Sequence, residues 1–100
     1  MKAIIDLHTH TISSGHAFST LKENVEGAKE NGLKIMGLSD HAVTMPGTAH
    51  PFYFHNMKVI KEEIDGIRVL KGIEANIIDY DGNLDVEDEV VEILDYMIAS

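Results

Sequence analysis

The sequence contains no cysteine, which excludes disulfides and thiolate metal sites. No apolar run approaches the roughly 18 residues that a membrane-spanning helix needs. Asp6 and His8 interrupt the N-terminus before a signal-peptide core can form. Neither Gly-x-x-x-x-Gly-Lys nor Gly-x-Gly-x-x-Gly occurs, so the common phosphate-cradling loops have no support. Ser13, Ser14 and Ser19 lack the strand–turn–helix setting of a serine nucleophile. Basic residues are scarce, 8 Lys and Arg against 17 Asp and Glu, for a net charge of −9. Such a chain repels nucleic-acid phosphates, which disfavours an unassisted nucleic-acid-binding module. These absences point to a cytoplasmic protein. Its 100 residues allow one domain.

What the sequence does have is a hydrophobic content of 44% and six histidines. Residues 3–8, AIIDLH, read as a strand, and 9–18 as a Thr/Ser/Gly-rich loop. Thr20 to Glu23 fits a capping box that opens a helix with Leu21, Val25 and Ala28 on one face. Asn31-Gly32 stops it. Residues 33–38 form a second strand. Residues 42–57, with Pro46 and Pro51 as breakers, read as an irregular functional loop, and 57–64 suits helix or strand. Asp65-Gly66 is a turn, and a third strand covers 67–73, with Glu74 just beyond it. A turn at 79–83 precedes a helix over 86–94. Asp85, Glu87, Asp88 and Glu89 suit the positive end of that helix. A strand covers 96–99. Alternating strands and helices imply an α/β fold with parallel pairing.

In an extended backbone the side chains of Asp6, His8 and His10 point to one side. Two imidazoles at that spacing can converge on a divalent ion. Ser39-Asp40-His41 ends the second strand as His8-Thr9-His10 ends the first, and Glu74 ends the third. Three successive strands thus deliver a metal-ligand type at their C-terminal ends, where sites of α/β proteins form. His16 can fold over the same rim from the first loop. Asp6 and Asp40 sit beside these residues, either to orient imidazoles or to cap backbone N–H groups. His50 and His55 either face substrate or pack aromatic rings within their loop.

DLHTHT, His16, SDH and GIEANI, in that order and spacing, resemble the PHP (polymerase and histidinol phosphatase) family, nearest its small stand-alone bacterial phosphatases of the YcdX type. The resemblance implies a distorted (β/α)7 barrel with a trinuclear site at its C-terminal rim. It implies that His8 and His10 hold one metal, that His16 and His41 hold a second, and that Glu74 bridges the first to a third. The implied activity is a metal-dependent phosphoesterase acting on a small phosphorylated substrate through a metal-activated water. Zn is the leading cofactor, and Mn or Fe suit the same donors. An amidohydrolase-type metal hydrolase also opens on a His-x-His strand. A non-catalytic metal-binding or structural segment is the reading from another class.

A β/α unit takes roughly 30 residues, so this chain reads as the N-terminal portion of such a barrel, residues 1–100 forming a single partial domain. Five candidate ligands cannot fill three sites of about four donors each, and strand 96–99 has no successor to pair with. The chain alone should therefore lack substantial phosphatase activity and associate, with a second copy or with the missing remainder. Light scattering beside a phosphatase assay checks both; a monodisperse, active monomer contradicts them.

Overall fold

Residues 4–100 are described by a computed structural model. The first residue of the expected 3–8 strand, Ala3, lies outside them. Strand β1 covers Ile5–Thr9, helix α1 Leu21–Glu30 and β2 Ile35–Leu38. Helix α2 covers Pro51–His55, β3 Glu63–Ile64 and β4 Ile67–Ala75; α3 and β5 follow at Asp88–Ile93 and Tyr96–Ala99. β1, β2, β4 and β5 pair in parallel, and β3 pairs antiparallel with the start of β4. The result is a mixed α/β fold whose parallel strands form a curled half-barrel.

Local chemistry explains most boundaries. The capping box of α1 is present in both directions: the Glu23 N–H donates to Thr20 Oγ1 and the Thr20 N–H to Glu23 Oε1. The β3–β4 hairpin turns on Asp65 and Gly66, with φ of 51° and 84°, the two positive values that a two-residue turn of the primed type requires. The stretch expected to be irregular contains α2. Pro51 stands at its first position, where a fixed φ and a missing N–H cost nothing, and Phe54 and Met57 anchor the segment, each 1% exposed. Residues 57–64 resolve into the end of a 3-10 turn, Asn56–Val59, and then β3. β4 runs two residues past the expected Ile73, so Glu74 lies inside the strand. α3 is shorter than expected, and Asp85 lies outside its first turn.

The apolar core sits on one face of the sheet. Leu38, Phe54, Ile73 and Val90 form one cluster, and Val25, Ala28, Met36 and Val69 another. Burial of the Val, Leu, Ile, Phe and Met side chains among them contributes about 1.5–3 kcal/mol each. The opposite, concave face carries Gly37, Gly72, Glu74 and Tyr96.

Two features shape that concave face. The first is a bulge in β1. Asp6 pairs with Met36 and Thr9 with Leu38, three steps in one strand against two in the other. Met36 and Leu38 both point into the core, so Asp6 and Thr9 share its side, and His8 and His10 take the concave one. The expectation that Asp6 shares a side with the two histidines is thereby corrected: the extra residue reverses the alternation between Asp6 and His8. Asp6 instead borders a cleft against α1, with Asn24, Ala28 and Met36.

The second is Tyr96, which pairs in register with Gly72. Its side chain crosses β4 and β2, and its hydroxyl donates to the Leu7 carbonyl of β1 at 2.7 Å. A Cβ at Gly72 would stand 2.4 Å from the Tyr96 ring, and one at Gly37 would stand 2.3 Å from its hydroxyl oxygen. Both positions therefore need glycine. Gly72→Ala should lower stability by about 1–3 kcal/mol, read as a reduced urea midpoint with unchanged m-value.

Candidate metal centre

The parallel register places the ends of β1, β2 and β4 at one height. Beyond Leu38 the chain continues beside β4, so that His41 bridges to Glu74. The Glu74 N–H donates to the Asp40 carbonyl and the Ala42 N–H to the Glu74 carbonyl, both at 2.9 Å. These bonds fix Glu74 beside His41, and the bulge aims His8 and His10 at the same point.

Glu74 Oε1 is the centre of the resulting group. His8 Nε2 lies 2.6 Å from it, His10 Nε2 3.0 Å and His41 Nδ1 3.8 Å. Oε2 accepts from the Ser100 hydroxyl at 3.2 Å. The His10 and His41 rings stack at 4.4 Å between centroids, and His8 tilts against His10 at 5.1 Å. His16 meets the edge of His41 at 5.1 Å. Its Nε2 lies 2.7 Å from the Pro46 carbonyl oxygen. Gly15 makes that approach feasible: its φ is 73°, and a Cβ there would lie 2.1 Å from the Gly47 carbonyl oxygen. All five residues expected to ligate metal thus gather at one rim.

The donors suit a divalent cation. His8, His10 and Glu74 offer ligand atoms within 4.8 Å of one another. His10 Nδ1 and His41 Nδ1 are buried without hydrogen-bond partners, a cost that coordination or a proton partner would relieve. Burial lowers the pKa of His41, against the opposing charge of Glu74. Burial raises that of Glu74, but the His8 hydrogen bond and the charge of His41 outweigh it, leaving it below the ordinary value. Neutral imidazole and ionised carboxylate are the forms that bind metal.

The two neighbouring aspartates are engaged elsewhere. Asp6 Oδ1 accepts from the His8 N–H at 3.0 Å. Asp40, with no exposed surface, accepts from the Thr11 N–H at 2.6 Å, the Thr11 hydroxyl at 2.7 Å and the Tyr53 hydroxyl at 2.5 Å. Its distance to His10 Nδ1 is 3.9 Å, beyond hydrogen-bond reach. Burial, with the hydrogen bond to Asp40, pushes the Tyr53 phenol well above its ordinary pKa, so it remains a donor. Tyr53 is a residue the sequence did not flag.

His50 and His55 stand apart from the cluster. His50 caps α2, its Nδ1 accepting from the Phe52 N–H at 3.2 Å, and its ring lies 4.7 Å from that of Phe52. His55 closes α2, with Nε2 3.8 Å from Glu87 on the exposed start of α3.

The chain matches the PHP domain over residues 6–99. It is 51% identical over 100 residues to a probable phosphatase of Thermoanaerobacter sp. (strain X514), 48% to one of Clostridium novyi (strain NT) and 45% to one of Photobacterium profundum. Each comparison takes in 100% of this chain and 41% of the relative, so the chain spans about two fifths of the length of the curated relatives it matches.

Asp85 supports the rim from below. Its Oδ2 accepts from the Thr44 N–H at 3.0 Å, the Thr44 hydroxyl at 2.7 Å and Asn76 Nδ2 at 2.9 Å; Oδ1 accepts from the Asn76 N–H at 2.7 Å. It therefore ties the segment after His41 to the segment after Glu74, a role with no local sequence signal. Burial raises its pKa, but the hydrogen bonds from Asn76 and Thr44 prevail and lower it. A depressed folded pKa contributes stability that is present above the ordinary carboxylate value and lost as pH falls through the folded one. Asp85→Asn should cost about 2 kcal/mol at pH 7. The gap to wild type should shrink below about pH 4, measured by urea unfolding across pH; a gap constant with pH contradicts this.

Proposed function

The chain belongs to the PHP domain family, and we propose on that premise that the protein carrying it is a metal-dependent phosphoesterase acting on small phosphorylated substrates. The observation that carries the reading is the convergence of the His8, His10 and His41 imidazoles on one Glu74 oxygen. The names of the relatives support the phosphatase class.

In this reading His8, His10 and Glu74 would hold one ion, His16 and His41 would hold a second, and Glu74 would be shared with a third. Three nitrogens around a carboxylate favour Zn, with Mn and Fe suited to the same donors. When bound, such ions supply Lewis acidity toward phosphate oxygens and acidify a water. The chain's own residues contribute placement. Glu74 is held from both sides through its main chain, and the His10–His41 stack limits rotation of both rings. Asp40 keeps the first loop closed over the rim. The remaining ligands of three sites lie outside these 100 residues, so the chain alone is inactive in this reading. The outer edges of β1 and β5 suit pairing with the rest of the barrel or with a second copy. Among the described residues no helix is long and apolar enough to cross a membrane. A chain without cysteine suits the cytoplasm, where disulfides do not persist.

Full-length protein should hydrolyse p-nitrophenyl phosphate or an analogous diester, lose that activity to a chelator and regain it with Zn or Mn. Full activity in metal-stripped protein overturns the proposal. Glu74→Gln should reduce kcat/KM by more than about 100-fold, beyond the 10- to 100-fold typical of residues that merely support ligands, with Asp40→Asn in that lower range.

A further inference from the structure

The peptide unit between Leu7 and His8 lies in the β1 bulge, where the ladder to β2 is interrupted between Asp6 and Thr9. Side chains hold both of its polar ends. The N–H, which belongs to His8, donates to Asp6 Oδ1 at 3.0 Å. The carbonyl, which belongs to Leu7, accepts from the Tyr96 hydroxyl at 2.7 Å. Tyr96 reaches it from 89 positions away in sequence, across two intervening strands.

A peptide plane fixed at both ends sets the direction in which the next Cα–Cβ bond leaves the chain. That bond belongs to His8, whose Nε2 meets Glu74 Oε1 at 2.6 Å. The bulge also carries the change of side-chain parity that puts His8 and His10, rather than Asp6, on the concave face. A bulge leaves its extra residue unpaired in the ladder, so bonds from outside the ladder bear on its orientation. Here the outside support has a dedicated path. Gly72 and Gly37 leave the space under the Tyr96 ring and hydroxyl that any Cβ would fill.

We propose that Tyr96 is a positioning residue for the metal centre: through the Leu7 carbonyl it fixes the peptide plane that aims His8 at Glu74. The proposal rests on the metal-site reading above. It asks of the hydroxyl something that ring packing alone cannot supply, and Tyr96→Phe separates the two, since it keeps the ring on both glycines and removes the hydroxyl that donates to the Leu7 carbonyl and lies beside Ser39.

The test uses full-length protein, wild type and Tyr96→Phe, with two readouts. In metal-free protein the His8 amide should exchange its hydrogen about five- to tenfold faster in the variant, the loss that one hydrogen bond implies. Zinc alone, added under chelator competition, should bind the folded variant about tenfold more weakly, in the range of a lost supporting contact, and the visible absorption of the cobalt-substituted protein should change. A merely structural role lowers the melting temperature but leaves zinc affinity and the cobalt spectrum unchanged. Unchanged His8 exchange overturns the brace, whether or not the protein binds metal. Faster exchange with unchanged zinc affinity overturns the positioning role. Wild-type protein that binds no zinc overturns the metal-site reading and the positioning role with it, while amide exchange still decides the brace.

Discussion

A carboxyl group with no surface open to water is costly by several kcal/mol unless donors surround it. Asp40 meets that demand with three donors from two separate segments, Thr11 in the loop after β1 supplying two and Tyr53 of α2 the third. The same residue offers its carbonyl to the Glu74 N–H. One position therefore ties the loop after β1, the α2 segment and the end of β4 to the end of β2. Its neighbour His41 is held against Glu74 by the same arrangement. The height of the rim and the closure of the first loop both follow from satisfying this one buried group.

That constraint makes the cluster above it tolerable. Three imidazoles at 2.6, 3.0 and 3.8 Å from a single carboxylate oxygen would repel one another if protonated together, and burial of His41 favours its neutral form. Glu74, 8% exposed, is kept anionic by the groups that crowd it. His41 and Glu74 are thus favoured in the forms that divalent cations require, beside main-chain bonds that tie Glu74 to Asp40 and Ala42.

The sequence made the candidate ligands legible because they recur at strand ends, where parallel pairing must bring them together. His8, His10, His41 and Glu74 needed only the order of strands to be placed. The capping box and the Asp65-Gly66 turn were equally readable, since each is decided by a few adjacent residues. The bulge was not. Strict alternation assumes an unbroken ladder, and whether β1 keeps step is decided by Met36 and Leu38 in another strand. Pro51 reads as a breaker in sequence, whereas its fixed φ starts a helix. Tyr53, Asp85 and Tyr96 act on partners 9 to 89 positions away, a range at which residue type alone says nothing.

The two-residue strand β3 has an effect out of proportion to its size. It occupies the edge of β4 at Ile67 and Arg68, so β5 can take that edge only further along, from Gly72. On the opposite edge β2 has already begun beside Arg68. The strands flanking β4 are thus offset by four residues, about 13 Å at the rise of a strand. A sheet closes into a cylinder only if its strands slip past one another in this way, and the accumulated slip sets strand tilt and bore. The small hairpin acts as a spacer that imposes shear, and so fixes how tightly the rim above it can draw in.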